Sequence, residues 1–288
     1  MSDGFLIVNK ASGFTSHDVV AQARKILKTK KVGHAGTLDP MATGVLVLGV
    51  GIGTKLLNYI MEGRKGYIGT IRLGASTKTD DKEGEILEKF STSGITDEQI
   101  VNEINKFKGK IQQKPSSVSA IKIDGKSAHE RVRAGEEVDI PARLVEIYEL
   151  EILKINRVGE WIDIEISVLC SSGTYIRSIA RDLGTALNNV GHLIKLERTE
   201  VAPFKKSESH VIENAKLISI KEGISRILPC RELNPEEVRE IFFGRAISKS
   251  EFEICAAFKN DGEFAALLTN KEEGGKVLSF PSLVNVKE

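Results

Sequence analysis

Hydrophobic residues recur along this chain with two spacings, which predict strands and helices in mixed order. Residues 44–50 form an apolar run flanked by glycines, a pattern typical of a buried strand. In residues 162–168, isoleucine and valine alternate with polar residues, as expected of a half-buried strand. Helical spacing follows Ser16, which we interpret as an N-cap, and it also follows Thr96 and Gln99, which resemble a capping box.

Two further strands and a domain boundary follow from the same pattern. Residues 67–73 alternate so that Tyr67 shares a face with the buried positions. Residues 145–155 are strand-like, but their alternation changes phase near Tyr148, so no face is assigned there. Beyond Leu228-Pro229-Cys230 the pattern predicts a short helix near Pro235 and strands at 253–258 and 263–268. The chain therefore divides into a larger domain, residues 1–230, and a small β-rich module, residues 231–288.

Charge is balanced over the whole chain but not along it. The 288 residues include 41 Lys and Arg against 40 Asp and Glu, a net charge of +1. Residues 20–66 hold eight basic residues against two acids, and residues 106–133 hold eight basic residues against Asp124 and Glu130. Such local excess suits a polyphosphate partner, with a solvated surface as the alternative.

Other compositional features exclude several classes. The three cysteines lie far apart, without a Cys-x-x-Cys pair, which indicates neither a disulfide framework nor a zinc site. No apolar run approaches the ~20 residues of a membrane span. We therefore expect a soluble protein of a reducing compartment, located in the cytoplasm.

The candidate chemistry centres on Asp39, which lies in a loop rich in glycine and proline just before the apolar run 44–50. A carboxylate fixed at the mouth of a buried strand is a candidate reactive group. The alternative is a turn-forming residue, because Asp before Pro40 is common in turns.

Generic nucleotide and metal motifs do not fit. A dinucleotide fingerprint that begins at Gly49 requires a third glycine where Thr54 stands, and Gly53-Thr54-Lys55 is in the wrong order for a phosphate loop. The five histidines lack H-x-x-x-H spacing, and no G-x-S-x-G motif is present. We expect no metal and no cofactor.

One long motif resembles a known signature. It reads Gly33-His34-x-Gly36-Thr37-Leu38-Asp39-Pro40-x-Ala42-x-Gly44-x-Leu46 and ends at Thr54-Lys55. Through this motif and others in the same order, including Gly173-Thr174-Tyr175-Ile176-Arg177 and Leu196-x-Arg198-Thr199, the chain resembles the TruB family of bacterial tRNA pseudouridine-55 synthases. The resemblance implies an α+β fold with a mixed, largely antiparallel sheet. It also implies a C-terminal PUA-like RNA-binding module and an RNA-gripping insertion at residues 106–133.

The resemblance also implies roles for particular residues. Asp39, Tyr67 and Arg177 match the catalytic set, in which the arginine pairs with the aspartate. The residues expected to bind substrate are His34, Tyr175, Leu196, Lys10 and Lys55. Burial raises the pKa of a carboxylate and a neighbouring arginine lowers it, so we expect Arg177 to keep Asp39 charged.

The implied substrate is uridine 55 in the T-loop of tRNA, converted by a monomeric enzyme without a guide RNA. Two alternatives remain: an RNA binder or tRNA-folding chaperone that uses the same surface, and a guide-RNA-dependent archaeal or eukaryotic relative. Five positions depart from the family pattern without touching the predicted catalytic set: Ala11, Lys78, Ser116, Val118 and His129.

Overall fold

A computed structural model describes residues 3–118, 122–123, 126–127 and 140–286. The helices in these ranges are α1 (Ser16–Ile26), α2 (Gly53–Met61), α3 (Asp97–Asn105), α4 (Ile176–Ala186), α5 (Ile220–Ile224) and α6 (Pro235–Phe242). The strands are β1 (Gly4–Lys10), β2 (Val32–His34), β3 (Thr43–Val50), β4 (Lys65–Leu73), β5 (Ala75–Thr77), β6 (Ile86–Lys89), β7 (Gly109–Gln113), β8 (Lys122–Ile123), β9 (Lys126–Ser127), β10 (Arg143–Val158), β11 (Trp161–Cys170), β12 (Gly191–Val201), β13 (Phe204–Lys205), β14 (Ile218–Ser219), β15 (Cys230–Glu232), β16 (Ile254–Phe258), β17 (Phe264–Glu273) and β18 (Lys276–Val284).

A ten-stranded sheet forms the centre of the larger domain. Its strands run in the order β14-β1-β3-β12-β4-β11-β10-β7, with β2 added to β3 and β13 added to β12. Neighbours in this sheet are antiparallel except β3 and β12, which are parallel. The predicted α+β class with a mixed, largely antiparallel sheet is confirmed.

Strand β3 is apolar throughout because both of its faces are covered. Val45 and Val47 pack into a core with α2 and α5, whereas Leu46 and Leu48 face α1. Successive side chains of a strand point to opposite faces, so a strand buried on both sides must be apolar at every position. The loop that carries Asp39 leads directly into this rigid strand.

The irregular phase near Tyr148 has a structural cause. The pairing of β10 with β11 shifts register between Ile147 and Glu149, so that Tyr148 has no direct partner and 48 % of it is exposed. A bulge of this kind reverses the alternation that follows it. By contrast, β11 keeps the predicted half-buried alternation along its whole length.

One local prediction needs correction and another is confirmed. The N-cap of α1 is Thr15 rather than Ser16, and it forms a capping box with Asp18. Ser16 is instead buried, and its hydroxyl bonds to the backbone of Leu38. The capping box of Thr96 and Gln99 is confirmed.

The C-terminal module is a four-stranded sheet in the order β15-β16-β17-β18, with α6 packed beside it. Its first strand begins at Cys230, one residue before the predicted boundary, and its last strand, β18, was not predicted. Phe258 and Phe264 of the module share a core with Phe5 and Ile220 of the larger domain. The two parts are therefore joined by apolar packing as well as by the chain.

Candidate active site

Hydrogen bonds from neighbouring elements fix the loop between β2 and β3, which contains Asp39. The Leu38 N–H donates to Ser16 Oγ at 2.9 Å, and the Ala42 N–H donates to the Asp39 carbonyl at 3.0 Å. Gly36 has a φ of 96°, a conformation that side chains other than glycine rarely adopt. The loop is thus a fixed support for the carboxylate.

Asp39 and Arg177 form a two-point ion pair across the site. Arg177 Nη2 donates to Asp39 Oδ1 at 2.9 Å, and Arg177 Nε lies 2.9 Å from Oδ2. The remaining nitrogen, Nη1, donates to the Thr79 carbonyl at 3.0 Å and lies 3.5 Å from the Asp81 carboxylate. Arg177 is buried, and such forked arginine–carboxylate contacts fix orientation as well as charge.

Burial dominates the ionisation of Asp39. Removal from water raises the pKa of its carboxyl group above the ordinary value, the Arg177 guanidinium opposes this rise, and the nearby Asp81 carboxylate adds to it. As expected, the Arg177 guanidinium lowers the pKa of Asp39 and so favours the charged carboxylate. Arg177 offsets the effect of burial only in part, however, so the pKa of Asp39 remains raised.

A cavity of about 320 Å³ opens beside this pair. The residues that line it are Gly36, Thr37, Leu38, Asp39, Met61, Lys65, Tyr67, Gly173, Thr174, Tyr175, Ile176, Arg177, Leu196 and Arg198. Its volume lies within the range of small-ligand sites. Five predicted site residues therefore meet in one place: Asp39, Tyr67, Arg177, Tyr175 and Leu196.

The chain changes conformation between Tyr175 and Arg177, and this change brings both residues to the cavity. Tyr175 is the extended N-cap of α4, with φ −104° and ψ 111°, and Arg177 is the second residue of the helix. Two such residues would point in nearly opposite directions if both were helical. The start of the helix after Tyr175 is therefore what lets both side chains line the same site.

Two cations in the cavity wall were not predicted as site residues. Arg198 is 1 % exposed, lies opposite Tyr67 across β12 and β4, and donates to the carbonyls of Val45 at 2.7 Å and Gly36 at 3.1 Å. Lys65 Nζ donates to the Met61 carbonyl at 2.7 Å, and burial lowers the pKa of Lys65 to about 8. A signal for Arg198 was present: it lies two residues after Leu196 on a strand, so the two share a face.

The environment of Tyr67 is apolar on one side and cationic on the other. Burial raises the pKa of its hydroxyl group, while the Arg198 guanidinium opposes that rise. The ring belongs to the core formed by β4, β11, α3 and α4, as its parity in the sequence predicted.

Three predicted substrate-binding residues lie outside the cavity lining. Lys10 is 1 % exposed, and its Nζ donates to the carbonyls of Ala11, Phe14 and Pro40, which places it beneath the loop. Burial lowers the pKa of Lys10 to about 8. Lys55 is exposed on the first turn of α2.

His34 is the third of these residues. It is half-buried at the end of β2, and its ring meets that of His17 edge-on, with centroids 5.5 Å apart. Burial, together with His17 and Arg198, lowers the pKa of His34. The imidazole of His34 therefore loses its proton more readily than that of an exposed histidine.

Much of the predicted insertion, residues 106–133, lies outside the described residues, including His129. Of the departures from the family pattern, Ser116 is described and is fully buried. Its Oγ donates to the Thr79 carbonyl at 3.3 Å, the same atom that accepts a hydrogen bond from Arg177. Ser116 is therefore linked to Arg177 through a shared acceptor, although it is not itself one of the predicted catalytic residues.

The described part of the chain shows neither a cluster of metal ligands nor a membrane-spanning helix. No three residues among its His, Cys, Asp and Glu converge as a metal site would require. None of its helices has the length and apolar character that a membrane span needs.

Known proteins resemble this chain over most of its length. Residues 24–176 match the family described as TruB family pseudouridylate synthase (N terminal domain). The chain is 47 % identical to the tRNA pseudouridine synthase B of Corynebacterium aurimucosum, over 93 % of this chain and 92 % of that one. It is 44 % identical to the protein of the same name from an Arthrobacter species, over 94 % of each chain. The chain belongs to the TruB family of pseudouridylate synthases.

Solved structures resemble the fold at lower identity. A structure described as an H/ACA RNP bound to a substrate RNA containing 2'-deoxyuridine aligns with a TM-score of 0.70 and 20 % identity, over 99 % of this chain and 85 % of that one. A Cbf5-Nop10-Gar1 complex aligns with a TM-score of 0.69 and 22 % identity, over 99 % and 84 %. At this identity the likeness concerns the fold.

Proposed function

We propose that this protein converts uridine 55 in the T-loop of tRNA to pseudouridine, and the name tRNA pseudouridine synthase B, which its relatives share, agrees with tRNA as the substrate. The observation that carries the proposal is the ion pair of Asp39 and Arg177 at the edge of a cavity lined by Tyr67, Tyr175 and Leu196. A cavity that combines aromatic and apolar walls with one fixed carboxylate and nearby cations suits a flipped base whose sugar must react.

The chemistry requires little beyond these groups. The reaction breaks the N–C glycosidic bond, turns the uracil ring and forms a C–C bond, with no net oxidation or hydrolysis, so it balances without a cofactor. Asp39 acts on the sugar as a nucleophile or as a base. Arg177 orients the carboxylate and favours its charged form.

The cavity lining supports the base while it is out of the stack. Flipping a nucleotide costs a few kcal/mol, and stacking on an aromatic side chain returns about 1–3 kcal/mol per base. We assign this stacking to Tyr67, and we assign the enclosure of the ring to Tyr175 and Leu196. The Tyr67 hydroxyl group, beside Arg198, is the candidate for proton transfer.

The partner of the enzyme is tRNA alone. Relatives named tRNA pseudouridine synthase B are 44–47 % identical over nearly the full chain, which supports tRNA as the substrate. In this proposal the protein acts without a guide RNA, as a monomer in the cytoplasm. His34, beside the loop, is the residue we assign to contact with the T-loop that the flipped base leaves. Lys55 is proposed to contact RNA outside the cavity, and Lys10 is proposed to hold the loop.

The direct test uses an unmodified tRNA transcript incubated with the purified protein alone, followed by chemical mapping of pseudouridine. We expect one new pseudouridine, at position 55. Conversion at another position would refute the assigned target. No conversion without an added RNA would refute action without a guide.

A further inference from the structure

Among the described residues, the side chain of Gln113, the last residue of β7, bonds to the backbone of Tyr175 and to no other group. Its Oε1 accepts from the Tyr175 N–H at 2.8 Å, and its Nε2 donates to the Tyr175 carbonyl at 3.1 Å. Gln113 is 1 % exposed, so no solvent competes for these bonds. A buried amide whose donor and acceptor are both used by one residue fixes that residue at two points.

The helix of Tyr175 holds its backbone through the carbonyl, which accepts from the Ile179 N–H at 3.3 Å, and the Tyr175 N–H needs a partner from elsewhere. Tyr175 is the N-cap of α4, yet its side chain makes no capping hydrogen bond, and its backbone is extended immediately before the first helical turn. The Tyr175 N–H donates to Gln113 of strand β7 instead of to a group of its own helix. The conformation that brings both Tyr175 and Arg177 to the cavity is therefore held from another element.

The strand next to β7 holds the ring of the same residue. Arg143 pairs directly with Gln113 between β10 and β7, and its guanidinium carbon lies 5.4 Å from the centroid of the Tyr175 ring. A guanidinium group over an aromatic face restrains the ring. One cross-strand pair thus contacts both the backbone and the side chain of Tyr175.

We infer that Gln113 is a positioning residue for the reaction, which acts through Tyr175 by fixing the point where α4 begins. The inference rests on the proposed function, in which Tyr175 encloses the flipped uracil. Displacement of a positioning group by about 1 Å lowers a rate by up to about 100-fold. Loss of the two bonds should therefore lower the rate of the chemical step while leaving most of the RNA-binding surface intact.

The test compares Gln113→Met with Gln112→Met. Gln112 is the preceding residue on the same strand and is exposed, so it provides a matched control. Under single-turnover conditions we expect Gln113→Met to form pseudouridine about 10- to 100-fold more slowly than the wild type, with tRNA affinity within threefold. Gln112→Met should be within threefold for both. An unchanged rate for Gln113→Met would overturn the inference.

A double-mutant cycle separates positioning from a general structural role. If Gln113 acts through the side chain of Tyr175, then Gln113→Met should slow a Tyr175→Ala enzyme by less than threefold, because the ring that it positions is already absent. Independent, multiplicative effects of the two substitutions would refute the inference. Rates are normalised to active enzyme, so that partial unfolding does not count as slower chemistry.

A spectroscopic measurement tests the contact even if the proposed function fails. The chain has four tyrosines, so fluorotyrosine labelling gives a simple ¹⁹F spectrum, in which Tyr175→Phe identifies one resonance. We expect Gln113→Met to shift or broaden that resonance, and Gln112→Met to leave it unchanged. Gln113→Glu keeps the bond from the Tyr175 N–H but loses the donor, and it provides the same test if the methionine variant does not fold. A Tyr175 resonance unmoved in a folded variant would contradict the inference.

Discussion

Replacement of Arg177 by glutamine removes the cation that faces Asp39 and leaves a neutral side chain of similar reach. In the wild type, the Arg177 guanidinium lies 2.9 Å from the Asp39 carboxylate and 3.5 Å from the Asp81 carboxylate. In the variant, these two carboxylates face each other without a positive group between them. Because burial already raises the pKa of Asp39, loss of the opposing cation must raise it further.

The magnitude follows from the geometry. The charge centres of a forked pair lie roughly 4 Å apart, and at an effective dielectric constant near 20 they interact by about 4 kcal/mol. One pKa unit corresponds to about 1.4 kcal/mol, so this energy limits the shift to about 3 units. The Asp39 side chain is 29 % exposed, and the screening that this permits places the expected rise at about 1–3 units.

The assay is the single-turnover rate of pseudouridine formation between pH 5 and pH 9. The ionised carboxylate is the reactive form, so the rate falls as the pH drops through the pKa of Asp39. We expect this acid limb to move to higher pH by about 1–3 units in Arg177→Gln. Arg181→Gln is the matched control, since Arg181 lies one turn further along α4 and pairs with Asp80 and Asp182.

An acid limb that stays in place in Arg177→Gln would refute the assignment of this arginine to the ionisation of Asp39. Thermal unfolding of each variant at pH 7 checks the fold, because breaking a buried ion pair can destabilise a protein by about 3–5 kcal/mol.

Three further predictions concern the cavity wall and the sheet behind it. Tyr67→Phe keeps the buried ring but removes the hydroxyl group beside Arg198. This substitution should lower the single-turnover rate at least about 100-fold while tRNA affinity stays unchanged. A near-normal rate would exclude proton transfer through the Tyr67 oxygen. Burial lowers the pKa of Lys65 from 10.5 to about 8, so the unfolded chain binds this proton more tightly than the folded protein does. As the pH rises from 8 to 10.5, the unfolding free energy of the wild type should therefore increase by up to about 3 kcal/mol relative to that of Lys65→Met. A difference in urea unfolding that does not depend on pH would contradict this prediction. Gly44→Ala should destabilise the protein by at least about 2 kcal/mol, because the φ of Gly44 is 101° and an added Cβ would lie 2.2 Å from the Arg198 carbonyl oxygen. An added Cβ at Gly94 meets open space, so Gly94→Ala should change the unfolding free energy by less than about 0.5 kcal/mol. Equal effects of the two substitutions would argue against the close approach of β3 and β12.

The elements with a clear period were predictable from the sequence. Strand β11 alternates without interruption, and β3 is uniformly apolar, so their burial follows directly from their residues. The bulge at Tyr148 left a trace in the sequence as a change of phase, although its cause became visible only when β10 was paired with β11.

Other elements give no such signal. Strand β7 is an edge strand in a lysine-rich segment, and its pairing with β10 rather than any apolar period makes it a strand. Among the acids of the polar loop after β5, Asp81 has nothing in its local sequence that distinguishes it from Asp80. Only the fold brings its carboxylate to Arg177.

Five of the eight predicted site residues meet in one cavity because the paired strands β4 and β12, the start of α4 and the loop before β3 come together there. The location of Lys10 was harder to predict, since a lysine near a reactive carboxylate suggests contact with substrate. In the structure, its three hydrogen bonds to carbonyl groups are instead made inside the loop. Buried cations such as Lys10 and Arg198 satisfy backbone groups, a role that composition does not reveal.

The most direct test of the account is the Asp39→Asn variant, which keeps the size of the side chain but removes its charge. Pseudouridine at position 55 of a tRNA transcript and the affinity for the same transcript are measured on one preparation. We predict a loss of conversion of at least about 10³-fold with tRNA affinity within threefold of the wild type. Retained conversion by a folded Asp39→Asn protein would contradict the central claim that this carboxylate carries the chemistry.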